Sequence, residues 1–322
     1  MNPQLVEITH GRTNPGIDPV LHAWGWEVPV YLFLGGLVAG VMVLLAALEL
    51  QRRAKATTPA GQAMPFVAIG LISLGMGALF LDLAHKVHVY RFYLSFEATS
   101  PMSWGAWILM IVYPVLLLQG LGGLSDGARD WLRAKAGKLS GLLDRVAAFA
   151  DAKRRPILWT SMAVGAGLGV YTGLLLGTLS ARLLWNSAVM GPLFLASGVS
   201  TGAALLLCVK LDHEAHHTLV RWDTVAIGAE LALLAVLLLG LSTGGSAQQV
   251  AADTLLGGRY TPYFWSLVVV GGLAVPLVLN LVEMRRGLRP TLLTPALVLI
   301  GGFALRTLVV AAGQTTGFGL LP

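Results

Sequence analysis

The stretch Trp24-Gly-Trp-Glu-Val-Pro-Val-Tyr-Leu-Phe-Leu-Gly-Gly-Leu-Val-Ala-Gly40 decides how the rest of the chain is read. It opens an apolar run that continues to Leu50, long enough to cross a bilayer, for which about 20 residues suffice. Trp24 and Trp26 stand where a membrane interface would be. Glu27 sits at the lip of the run, and Tyr31 lies four residues deeper, about one helical turn. Gly36 and Gly40 form a small-xxx-small face that lets a second helix approach closely. Such a helix spans a membrane and presents polar groups at one end.

The composition agrees with that reading. Of 322 residues, 56% are hydrophobic and only 12% are charged, against about 25% charged in soluble domains. The chain is read as an all-α, multi-pass membrane protein, surrounded by a lipid bilayer. Its net charge of +6 therefore reports topology, and no nucleic-acid partner is expected. The single cysteine, Cys208, excludes a disulfide framework and an iron–sulfur cluster held by this chain alone. Residues 1–23 are polar and lack the apolar core of a cleavable signal peptide.

Eight apolar runs are long enough to span: 28–50, 63–85, 103–121, 157–179, 190–209, 224–241, 264–282 and 292–312. Sixteen of the 22 Lys and Arg fall in the loops after the first, third, fifth and seventh runs. The positive-inside rule makes those loops cytoplasmic and puts both termini on the periplasmic side. The predicted architecture is two four-helix bundles in the bacterial inner membrane. Residues 1–121 hold the N-terminal segment and helices 1–3, and 122–156 form a cytoplasmic amphipathic loop of one or two helices at the interface. Residues 157–189 complete the first bundle, and 190–322 form the second. In the fourth run Gly165, Gly169, Gly173 and Gly177 line one face for close packing, and Tyr171 points away from it.

Polar groups converge at the outer end of the first bundle. Glu27 and Tyr31 enter from outside, and Asp82 and His85 are expected in the last turn of the second helix. Ser100 and Pro101 suit the N-cap and first position of the third, so its N–H groups and positive dipole end face the same place. Tyr171 is eight residues, or ~12 Å, from the end of the fourth helix. Arg182, Trp185 and Asn186 follow in the outer loop. Each residue alone reads as a cap, a solvated group or packing. Together they form an aromatic-lined slot with a carboxylate, an imidazole and a phenol, which suits a quinone head group. The carbonyl oxygens need donors, and reduction to the quinol needs two protons, which a carboxylate and a histidine can relay. Asp82, Glu27 and His85 are the candidate proton-handling residues. Tyr171, Tyr31, Trp104, Arg182 and Asn186 are the candidate quinone contacts.

Several stretches resemble one family, the NrfD-like membrane subunit of polysulfide reductase and related quinone oxidoreductases. They are Trp26 to Gly40, Leu81-Asp-Leu83, Leu94-Ser-Phe96, Thr99-Ser-Pro-Met-Ser-Trp-Gly-Ala-Trp107, Tyr171 with Arg182 and Leu184-Trp-Asn186, and Arg306-Thr-Leu-Val-Val-Ala-Ala-Gly-Gln314. The resemblance implies eight to ten helices in two four-helix bundles, with a quinone site (menaquinone or ubiquinone) in the first bundle near the outer surface. It implies a periplasmic iron–sulfur subunit docked over that site, a molybdopterin catalytic subunit beyond it, and no haem or iron–sulfur cluster in this chain. Tyr171 matches the family's quinone-contacting tyrosine, and Asp82 matches an acidic position. At two places the sequence departs from the family. Tyr31 lies near a position that holds histidine in some members. Ala84, His85 and Lys86 follow Asp82 where others have Gly-Arg-Pro.

Other signals are weaker. His213-Glu-Ala-His-His217 fits a zinc-protease signature, but it is read as part of a charged cytoplasmic loop with no third ligand, so no metal site is expected. No helix carries the mid-membrane histidines that haem ligation needs. Glu230 and Arg306 are intramembrane charges of the second bundle. Placed ~12 Å apart along the membrane normal by helical rise, they read either as a proton path or as a protonated Glu and an Arg that snorkels outward. The competing function is a transporter or proton-conducting subunit without quinone chemistry.

Overall fold

The computed structural model describes residues 24–52, 58–83, 85–179, 182–286 and 291–316. Residues 1–23, together with Arg53, Lys55 and Arg289 of the basic loops, lie outside the described residues. The described chain is helical, with no β-strand among the described residues.

Among the described residues, eight helices are long and apolar enough to cross a membrane: Glu27–Arg52, Pro59–Asp82, Pro101–Gly123, Arg154–Gly177, Met190–Leu207, His213–Ser242, Thr261–Arg286 and Leu293–Thr315. All eight expected spans are present, with shifted ends. The second helix starts at Pro59 because Thr58 accepts a hydrogen bond from the Gly61 N–H, a side-chain cap followed by proline. It stops at Asp82, where Leu83 turns extended. His85 therefore lies outside its last turn. The sixth span is 30 residues long and begins at His213, capped by Asp212. The His213–His217 stretch is thus the start of a membrane-spanning helix and not a loop. The seventh span is π-helical over Phe264–Ala274.

The first helix is the hub. It packs against the second, fourth, fifth and eighth. Against the fifth the two backbones nearly touch. A methyl group on Gly40 would strike the Gly198 carbonyl, and one on Gly202 would strike the Gly40 backbone. Lipid tails are as apolar as the helices, so close dispersion contact of this kind is what holds helices together in a membrane. The glycine face of the fourth helix works as expected. Gly165 meets the first helix at Ala39 and Met42, and Gly169 and Gly173 meet the fifth at Leu195 and Met190.

At one end, ion pairs tie the helices. Arg154 binds Glu49 and the Gln119 carbonyl, and Arg52 binds Asp212 at 2.6 Å. The Arg52 hydrogen bond holds the Asp212 carboxyl below its ordinary range. The segment 122–156 folds as a hairpin of two helices, Asp126–Ala136 and Ser140–Ala152, pinned by Arg129 to Asp151 and Arg133 to Asp144. At the other end, Trp24 and Gln314 exchange two hydrogen bonds, and Arg182 donates to the Gln314 carbonyl. Trp185 stacks on Trp24 at 5.1 Å and donates to the Val309 carbonyl.

Candidate functional site

Near that second end, the first four helices and the turn Arg91–Leu94 enclose a cavity of about 260 Å³. Its walls are mainly apolar, with Met76, Phe80, Phe92, Leu109 and Leu176 among them, and Trp24 borders it. Its polar lining includes Tyr31, Asp82, Tyr93 and Tyr171, together with Thr178, whose hydroxyl donates to the Leu175 carbonyl. The three phenols line the same cavity. Neither the Tyr171 hydroxyl nor the Asp82 carboxylate forms a hydrogen bond or ion pair with another described residue. Burial, with Tyr113 nearby, raises Tyr93 above the ordinary phenol value, so at neutral pH it remains a hydrogen-bond donor.

Tyr171 comes from the fourth helix on the side away from its glycine face, and its ring lies against Gly105 of the third. Asp82 stands at the slot because it ends the second helix. Tyr31 is a turn into the first and buried. The expected convergence therefore holds for Tyr31, Asp82 and Tyr171.

The other expected residues lie elsewhere. Glu27 opens the first helix but does not line the slot. His85 is exposed and stacks edge-on with His88. Trp104 and Asn186 border a separate groove on the far side of Tyr171, and the Trp104 indole donates to the Ala98 carbonyl. Arg182 is held at Gln314. Ser100 takes the N-cap position with Pro101 after it, but its side chain does not cap.

A second group of polar residues is buried among the last four helices. Arg306 is fully buried and does not snorkel. Its guanidinium donates to the Leu32 carbonyl (3.1 Å), the Ser197 hydroxyl (3.0 Å) and the Gly302 carbonyl (2.9 Å), and lies over the Phe194 and Phe33 rings. Glu230 is buried, with Ser197 and Arg306 in its surroundings, so the two residues lie nearer in depth than helical rise places them. Helical rise misplaces them when the sixth helix is begun at 224 and not at 213. Two turns toward the helix start, Asp223 accepts from Ser200 (2.8 Å) and Asn280 (2.7 Å). Two turns further, His216 meets Glu283 at 2.9 Å. Asp223 and Asn280 went unread in the sequence, although 216, 223 and 230 recur every seven residues and so share one helix face. Tyr93 was missed because it lies in a connecting turn, where periodicity is silent.

The eight apolar spans of the described residues, with an aromatic, phenol-bearing slot at one end, make this a polytopic membrane protein with a candidate ligand site between its helices. The chain matches the family described as "Polysulphide reductase, NrfD" over residues 16–318. It is 31% identical to the homologous chain of polysulfide reductase from Wolinella succinogenes over 306 residues, covering 91% of this chain and 94% of that one. It is 28% identical to protein NrfD of Escherichia coli over 304 residues, 91% and 95% of the two proteins. It is 27% identical to a putative membrane subunit of dimethyl sulfoxide reductase from Halobacterium salinarum over 314 residues, 92% and 70% of the two. The chain belongs to the NrfD family, and is a multi-pass protein of the inner membrane.

Proposed function

We propose that this chain is the quinone-reactive membrane anchor of a multisubunit respiratory oxidoreductase. In this reading it exchanges electrons between the membrane quinone pool and an iron–sulfur subunit. That subunit sits over the slot on the periplasmic side and leads to a molybdenum catalytic subunit. The single observation that carries the reading is the slot itself, where Tyr171 and Asp82 face an apolar cavity with no other described partner. Relatives named as parts of polysulfide reductase and dimethyl sulfoxide reductase support it.

The residues fit a quinone head group. A planar ring is at home between Trp24, Phe80 and Phe92, and its two carbonyl oxygens need donors, which the Tyr171 and Tyr93 hydroxyls supply. When bound, the quinone supplies two-electron, two-proton chemistry. Asp82, at the end of its helix, holds or passes a proton between the slot and the outer aqueous phase, with His85 three residues beyond it. Tyr31 closes the floor of the slot.

Purification of the intact complex from native membranes tests this. The reading expects co-purified quinone by mass spectrometry and an iron–sulfur partner. A stable complex that lacks both contradicts it.

The buried polar groups of the second half favour a companion reading, in which they carry protons across the membrane. His216, Asp223 and Glu230 rise along one face, and Arg306 reaches Leu32, the neighbour of slot residue Tyr31. Proton uptake by vesicles during quinol turnover checks this. Glu230→Gln is expected to abolish coupled proton movement while turnover persists. Unchanged coupling makes the group structural.

A further inference from the structure

We propose that Gly105 is a positioning residue for Tyr171, and that its missing side chain is what allows the phenol to reach the slot. This rests on the quinone reading above and deepens it. Gly105 lies in the interior of the third helix, Pro101–Gly123, and is buried. Helix interiors disfavour glycine relative to alanine, and Gly105 has ordinary helical backbone that any residue adopts. Backbone conformation therefore does not explain it. Contact does. A methyl group built on Gly105 would fall inside the Tyr171 ring, overlapping its hydroxyl-bearing carbon and the hydroxyl oxygen itself. Two glycines on the second helix, Gly70 and Gly77, would by contrast meet nothing within 4 Å. The ring has open volume on both sides, so it can move, but only by leaving its present place. On one side of the ring is the slot, which Tyr171 and Gly105 both line. On the other is the groove bordered by Trp104, Ile108, Val170 and Asn186, which Tyr171 also lines. The ring is the wall between the two. Any side chain at 105 pushes it toward one or the other, and in both cases the hydroxyl leaves its present place.

The test uses the intact complex in detergent or nanodiscs, with quinone affinity and turnover measured for Gly105→Ala, Tyr171→Ala and the double variant. A 3-fluorotyrosine at position 171 reports ring position by fluorine NMR, independently of any quinone. Gly105→Ala is expected to move the fluorine resonance and to weaken quinone binding severalfold, the scale of one lost hydrogen bond. In the Tyr171→Ala background, where the ring is gone, the same substitution is expected to cost nothing further. Gly77→Ala, the control, leaves the resonance and binding as they are. An unmoved resonance, or an equal loss with and without the Tyr171 ring, overturns the positioning role. If the unaltered complex binds no quinone, the functional reading fails, and the fluorine shift alone still decides whether Gly105 seats the ring.

Discussion

Removing a single oxygen at Tyr171 separates packing from chemistry. Tyr171→Phe keeps the ring against Gly105 and deletes the hydroxyl that faces the slot. A lost hydrogen bond is worth about 0.5–1.5 kcal/mol, so quinone affinity is expected to fall severalfold with assembly intact, checked by titration of the purified complex. Asp82 asks a different question. Asp82→Asn conserves shape and removes the carboxyl. If the carboxyl relays protons, turnover drops by about 10²-fold or more while affinity changes little. Equal turnover makes Asp82 a helix-end residue only. At this scale the sequence was partly legible. Tyr31, Asp82 and Tyr171 share a depth that helical rise alone predicts. Arg182 and Asn186 follow in the loop beyond the fourth helix, and loop geometry sends them to Gln314 and to the outer groove. Depth is readable from a sequence, whereas azimuth in a loop is not.

The helices themselves were legible because hydropathy marks every span, and their ends were less so because caps override it. The sixth helix shows this. His213, Glu214 and His217 look like a loop by polarity, yet Asp212 caps them into a helix that extends below the apolar run. That one boundary hid the Asp223 site and misplaced Glu230 against Arg306. The seam between the first and fifth helices was half visible. Gly36 and Gly40 announced a close approach, and the partner proved to be Gly198 and Gly202. Gly198→Leu places a branched side chain where the Gly36 carbonyl now lies. Overpacking of this kind costs about 1–3 kcal/mol, so a lower thermal midpoint in detergent is expected. Gly228→Leu, at a position with open space beside it, is expected to leave the midpoint unchanged.

The whole molecule places its ion-paired, arginine-rich end and its aromatic slot at opposite ends of the helices. From the distribution of Lys and Arg we propose that the first faces the cytoplasm and the second the periplasm. In a Cys208→Ser background, single cysteines in 126–152 are expected to resist an impermeant thiol reagent added to intact cells, and cysteines at 86–96 to react. The reverse pattern would move the partner subunit to the other face. The division into two four-helix bundles is less clean than the hydropathy pattern implies, because the first helix packs as closely on the fifth as on its own neighbours. That shared helix carries Tyr31 toward the slot and Leu32 toward Arg306, joining the two polar sites through adjacent residues. Occupancy of the slot by a quinone head group is open to photolabelling. A photoreactive quinone added to the intact complex is expected to modify peptides containing Phe80–Asp82, Phe92–Tyr93 and Tyr171, with labelling suppressed by excess unlabelled quinone. Labelling confined to other helices, or undiminished by competitor, would contradict it.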